Sequence, residues 1–151
     1  MPDTFTFEVV RTSSAAPAKL FQLEVDGARW SDWAKPLIVQ SGWERWADPV
    51  GGVGAIRRVG LFPMLMFEET LEYEQDRRHV YTFARNGPVK DYRAEVLFTP
   101  AADGGTELRW RGSFEEKFPG SGPVVQKLLR TAIVFLAGRL VRAAESERDG
   151  R

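Results

Sequence analysis

Between residues 37 and 117 the chain alternates apolar and polar side chains in one segment after another, each closed by a turn signal, and then changes period. LIVQSGWERWAD runs into DPVGG, GAIRRVG into LFP, MFEETLEYE into QDRR, HVYTFAR into NGP, DYRAEVLFTP into ADGG, and TELRWRGSFEE into FPGSGP. Glycine, proline, asparagine and aspartate gather at these breaks because they supply the backbone angles and local hydrogen bonds that tight turns need. Strands joined this closely pair antiparallel, so the spacing predicts a meander. Tyr92, Ala94, Val96 and Phe98 share one phase against Asp91, Arg93 and Glu95, and Leu108, Trp110 and Phe114 oppose Arg109, Arg111 and Glu115. One face of the sheet is therefore dry and the other wet.

After Gly120-Ser121-Gly122-Pro123 the apolar spacing becomes helical and stays so to about Glu147. Val125, Leu128, Leu129, Ala132, Leu136 and Leu140 form a stripe, which Ile133, Val134 and Phe135 extend almost around the cylinder. Such a helix must touch more than a sheet. It meets either the short helices and the apolar loop Phe62-Pro63-Met64-Leu65-Met66, or a second copy of the chain, so both monomer and homodimer stay open.

Upstream, Phe5, Phe7 and Val9 alternate with polar residues in a first strand over about 3–11. A helix follows, capped at Ser13 or Ser14, with Pro17 in its first turn and Leu20, Phe21, Leu23 and Val25 at helical spacing before Asp26-Gly27. In ARWSDWAKP, Trp30 and Trp33 lie one helical turn apart before Pro36 stops a second short helix. The whole reads as one α+β domain over 1–151: a seven-stranded curved antiparallel sheet around a long C-terminal helix, with two short helices after the first strand. A twisted sheet of this size curls, so the helix lies in its concavity and space between them makes a pocket. Residues 147–151 are a polar tail expected to fray.

Composition narrows the chemistry. Lysine plus arginine equals aspartate plus glutamate, 21 against 21, which leaves no basic excess for phosphate contacts and argues against nucleic acid. Without cysteine there is no thiolate metal site or disulfide, and a single histidine disfavours imidazole metal sites and serine-histidine triads, so no metal is expected. MPDTFTFEVVRT lacks the basic-then-apolar pattern of a signal peptide, and a cytoplasmic location is expected. The longest apolar run, AIVFLAG, falls well short of the roughly 20 residues of a membrane span.

APAKLFQLEVDGARWSDW, the glycine and paired arginines of GAIRR, NGPVKDYRAEVLFTP, GGTELRW and the closing LVRAAE occur in an order and spacing that resembles the START-like, Bet v 1-like superfamily (SRPBCC). Within it, the chain is most similar to the polyketide cyclase/dehydrase-like group, over about residues 3–146. The resemblance implies a helix-grip fold and either carriage of, or chemistry on, lipids, polyketides and other hydrophobic molecules.

Strand alternation places Glu69 in the same phase as Phe67, Leu71 and Tyr73. With a hairpin loop at QDRRH, Tyr73 is expected opposite Tyr81, Leu71 opposite Phe83, and Glu69 opposite Arg85, while a turn at LFPM brings Arg57 opposite Glu69. A carboxylate in an apolar cavity needs a guanidinium partner. Glu69, Arg85 and Arg57 are thus expected to anchor the polar end of a ligand in a pocket lined by Tyr73, Tyr81, Phe83, Tyr92, Trp110 and Phe135. Two other readings stand beside this one: a bulge at Glu68-Glu69 sends both glutamates to solvent, or the ion pair is structural. His79 is expected exposed and inert at a hairpin tip, and Trp30, Trp33, Trp43 and Trp46 are read as core or rim.

Three functions fit. The first is binding of a hydrophobic small molecule without cofactor. The second is a cyclase, aromatase or dehydratase in which Glu69 moves a proton while Arg85, Tyr81 or Tyr92 stabilises an enolate oxygen. A carboxylate clamped by two arginines is a poor base, which ranks binding above catalysis. The third is a protein-interaction module with a sealed interior.

Overall fold

The computed structural model describes residues 3–61, 64–85 and 87–147. In chain order the elements are β1 (Thr4–Ser13), α1 (Pro17–Val25), a 3-10 turn (Gly27–Arg29), α2 (Trp30–Trp33), β2 (Gln40–Arg45), β3 (Ile56–Leu61), β4 (Met64–Glu74), β5 (Arg78–Arg85), β6 (Val89–Pro100), β7 (Thr106–Glu116) and α3 (Gly122–Glu147). The strands form one antiparallel sheet ordered β1-β7-β6-β5-β4-β3-β2. Because β1 pairs with the last strand, β1 and β2 are opposite edges, and the segment holding α1 and α2 must cross from one edge to the other. That crossing closes one end of the curved sheet, and α3 lies in its concavity. The expected α+β architecture is the observed one. Glu147, where the tail is expected to begin fraying, is the last residue of α3, while residues 148–151, the turn residues Phe62 and Pro63, and Asn86 lie outside the described residues.

The dry face is built as alternation requires. Tyr92, Ala94, Val96 and Phe98 of β6, with Leu108, Trp110 and Phe114 of β7, are all buried, and α3 lays Ile133, Leu136, Ala137 and Leu140 against them. Phe21 of α1 meets Phe98 edge-on at 5.4 Å between ring centroids. The helix is not covered all round, however. Leu128 (64 % exposed) and Phe135 (36 %) face outward, because a curved sheet wraps only part of the cylinder and the two short helices reach α3 further along.

The register of β4 differs from expectation in a way that decides the site. Glu74 pairs with Arg78 and Tyr73 with His79, around a tight turn whose Asp76 has φ 62°. Pairing then slips between Thr70 and Glu72, leaving Leu71 as an extra, partly exposed residue. A one-residue bulge reverses the phase of everything beyond it. Tyr73 therefore keeps its inward direction while Glu68 and Thr70, not Glu69 and Leu71, share that face. Glu68 stands opposite Arg57 and Phe83, and Glu69 stands opposite Ile56 and Thr82 on the other face.

Candidate functional site

Between α3 and strands β3 to β6 the dry face fails to close, leaving a cavity of about 340 Å³. Its wall is apolar, with Val59, Met66 and Phe83 from the sheet and Leu129, Ala132 and Leu136 from the helix. The mouth lies where the exposed side chains of Leu37, Leu61 and Met64 meet the lining. Among the described residues, the carboxyl of Glu68 and the phenols of Tyr81 and Tyr92 line the interior. Phe83 stacks on Tyr92 with centroids 4.2 Å apart and planes 13° from parallel, which fixes one phenol ring against the wall.

Behind Glu68 is a buried charge cluster. Arg57 donates from Nε to Glu68 Oε1 (2.9 Å), from Nη1 to the Glu24 carbonyl (2.5 Å) and from Nη2 to Glu24 Oε2 (3.2 Å). Its plane is sandwiched between the rings of Trp30, 4.1 Å away, and Tyr81, 4.6 Å away, an arrangement that a planar guanidinium suits and an ammonium does not. His79 places Nδ1 2.9 Å from Glu24 Oε2 and Nε2 2.9 Å from the Thr70 hydroxyl, which donates to the Gly51 carbonyl. Gly27 is where the cluster has no room to spare: a Cβ there would lie 2.3 Å from Cβ of Arg57, so only glycine lets the 3-10 turn pass over the arginine stem.

The two carboxyls are driven apart. Burial pushes Glu24 up, but His79 and Arg57 outweigh it and hold the group below the ordinary carboxylate value. Burial also raises Glu68, and here Arg57 offsets it only in part while neighbouring Glu24 adds to the rise, so Glu68 keeps its proton above the usual range. A guanidinium shared between two acids cannot fully compensate both. Burial raises the phenols of Tyr81 and Tyr92 as well, keeping both as neutral hydrogen-bonding groups. Tyr81 accepts a hydrogen bond from Trp110 Nε1 at 3.1 Å.

These opposed shifts give a pH signature. Folded Glu68 retains a proton that the unfolded chain releases near 4.5, so its contribution to stability falls as pH rises from there; Glu24 contributes stability that is present above 4.5 and lost as pH falls. In urea denaturation across pH 4.5 to 8, Glu68→Gln is expected to gain on the parent protein as pH climbs. A stability difference that does not change with pH would show that Glu68 titrates alike in both states.

Of the residues expected at the site, Tyr81, Phe83 and Tyr92 line the cavity, and Arg57 lies directly behind its wall. Trp110 is fully buried in the core behind Tyr81. Tyr73 packs edge-on against Phe21 beside a separate shallow depression. Phe135 faces outward near Arg139, off the cavity side of α3. Glu69 is carried to the other face by the Leu71 bulge. Arg85 is exposed, lies over the Phe67 ring at 4.1 Å and bonds Glu44 at 3.0 Å, so it cannot face Glu69 as expected. His79, expected at an exposed tip, is buried because the turn closes one residue earlier than assumed, which puts His79 rather than Tyr81 opposite Tyr73. Glu24, Glu68 and His79 were missed as members. Glu24 carried a readable signal, since it follows Leu20 and Phe21 by four and three residues and so shares their inward helical face.

A family model described as polyketide cyclase / dehydrase and lipid transport matches residues 4–145. Among solved structures, the chain is similar to a START superfamily protein from Mycobacterium smegmatis, with TM-score 0.78 at 14% identity over 94% of this chain and 98% of that one. It is similar to XoxI from Bacillus cereus, with TM-score 0.75 at 15% identity over 92% and 94% of the two chains. The crystal structure of Ara h 8.0201 gives TM-score 0.72 at 21% identity over 95% and 99%. At these identities the structural likeness speaks for the fold alone. No curated protein matches the sequence.

Proposed function

Since the chain belongs to the polyketide cyclase / dehydrase and lipid transport family, we propose that it binds one hydrophobic small molecule between α3 and the sheet, with Glu68 holding the molecule's polar end. The observation that carries this reading is the cavity itself: about 340 Å³ of space, apolar except for one carboxyl and two phenols gathered at the sheet side. Concave sites of roughly 300–1,000 Å³ with a few convergent polar groups are the usual form of small-molecule sites. Affinity would come from apolar burial at about 25 cal/mol per Å², with the polar groups setting orientation. Among the described residues no helix is long and apolar enough to cross a membrane.

The family's enzymatic members supply a second reading, and one feature favours it. Glu68 is met by a single arginine that also serves Glu24, so the objection that two clamping arginines would make a poor base does not apply to it. With its carboxyl raised by burial, Glu68 is a better base than an ordinary carboxylate, and the Tyr81 or Tyr92 hydroxyl suits a developing enolate oxygen. Conversion of an offered polyketone that disappears in Glu68→Gln, while binding persists, would support catalysis. A pure interaction module fits least well, because it calls for a sealed interior.

The cavity is testable with N-phenyl-1-naphthylamine, an uncharged dye that brightens when buried. Ala132→Trp, on the α3 wall, fills the space with an indole; dye affinity is expected to fall at least roughly tenfold, equivalent to about 1.4 kcal/mol, while the urea midpoint holds. Unchanged dye binding in a folded Ala132→Trp protein would place the dye elsewhere and sink the reading.

A further inference from the structure

We propose that the ligand of this cavity is an uncharged amphiphile whose buried polar end is a hydroxyl, an alcohol or phenol, and that carboxylate-bearing molecules are excluded. The inference rests on the binding reading above and specifies its ligand.

The wall carries one acid and, among the described residues, no lysine or arginine. The nearest cation, Arg57, is spent: Nε and both Nη atoms are engaged by Glu68 and Glu24, Trp30 and Tyr81 cover its two faces, and it is 2 % exposed. A carboxylate entering here would meet an acid rather than a cation and leave its own charge buried without a cationic partner, among the costliest situations a protein interior can hold. A fatty acid could escape only by keeping its carboxylate at the mouth.

The groups that do face the cavity call for a partner that both donates and accepts. Glu68 gives Oε1 to Arg57, and no described residue engages its Oε2, which leaves an acceptor at the wall. Tyr81 takes the Trp110 N–H, and Tyr92, whose ring meets that of Tyr81 edge-on at 6.2 Å, keeps its hydroxyl proton because burial disfavours the phenolate. A ligand hydroxyl donates to Glu68 and accepts from Tyr92; an ether or ketone can only accept, and a hydrocarbon does neither. The apolar body then occupies the space lined by Val59, Leu129, Ala132 and Leu136.

Three compounds that differ only at the polar end form the test: 2-naphthol, 2-methylnaphthalene and 2-naphthoate, titrated into the full chain by calorimetry at neutral pH. Naphthol is expected to bind about tenfold tighter than methylnaphthalene, as one net hydrogen bond to a partly charged acceptor allows, and naphthoate at least about tenfold weaker. Glu68→Gln cannot ionise and adds an N–H donor while keeping an acceptor oxygen, so the naphthoate penalty should shrink in that variant. Naphthoate binding as tightly as methylnaphthalene, or naphthol showing no advantage over it, would overturn the ligand class while leaving the cavity reading intact. Failure of all three to bind would overturn both.

Discussion

Arg57→Met is expected to lower the free energy of unfolding by roughly 3–5 kcal/mol, the scale observed when one member of a buried ion pair is removed and its partner stays behind. Arg57 is almost wholly inaccessible, so solvent screening does not soften the loss. Methionine retains most of the stem that packs against Gly27 and leaves little void, which makes the change chiefly one of charge and hydrogen bonding. Three donated hydrogen bonds disappear, the rings of Trp30 and Tyr81 lose the cation between them, and Glu24 keeps only His79 as a charge partner. Glu68 can answer by holding its proton more firmly, and Glu24 cannot do so as readily because His79 still sits 2.9 Å from its Oε2 and favours the carboxylate. The double variant Arg57→Met/Glu68→Gln should therefore cost less than the two single losses added together, since neutralising one acid relieves part of what the missing cation leaves. Urea denaturation with an unchanged m-value is the measurement. A single-variant cost below about 1 kcal/mol would mean that the cluster behaves like a solvated surface pair.

The same cluster shows where sequence reading succeeds and where it stops. The dry faces of β6 and β7 obey simple alternation, because neither strand slips along its central stretch, and Trp110 is buried as its phase requires. The inward direction of Arg57 was also readable, since the pairing of β3 with β4 has no irregularity. The identity of its partner was not. Alternation counted back from Tyr73 points to Glu69, and only the extra residue at Leu71 hands the role to Glu68. A bulge leaves no composition signal here: Leu71 looks like any apolar strand residue, and its exclusion is what lets Tyr73 pair with His79 while Glu68 meets Arg57. His79 was lost to a different slip, because placing the three-residue loop one residue too late shifted every partner on β5 by two. Glu24 is a different kind of miss. Its helical position was legible, but a carboxylate among Leu20, Phe21 and Leu23 makes sense only once an arginine and a histidine from other strands are seen to converge on it.

Trp110→Ala is expected to destabilise by about 3–5 kcal/mol through lost burial and the void that remains. The ring is fully buried, meets Trp30 edge-on at 6.1 Å between centroids, and gives its N–H to Tyr81. Trp110→Phe keeps much of the volume but not the donor, so it should cost less, on the order of 1–3 kcal/mol, with the unmet Tyr81 hydroxyl supplying most of it. The two variants separate packing from polar alignment at the cavity floor. In both, Tyr81 loses the bond that orients its hydroxyl at the cavity wall. Methylnaphthalene, which uses no polar group, should bind Trp110→Phe nearly as it binds the parent protein, whereas the advantage of naphthol over it should shrink. An undiminished naphthol advantage in Trp110→Phe would show that the alignment of Tyr81 by Trp110 has no part in recognising the ligand, and that Tyr92, held by its stacking on Phe83, suffices.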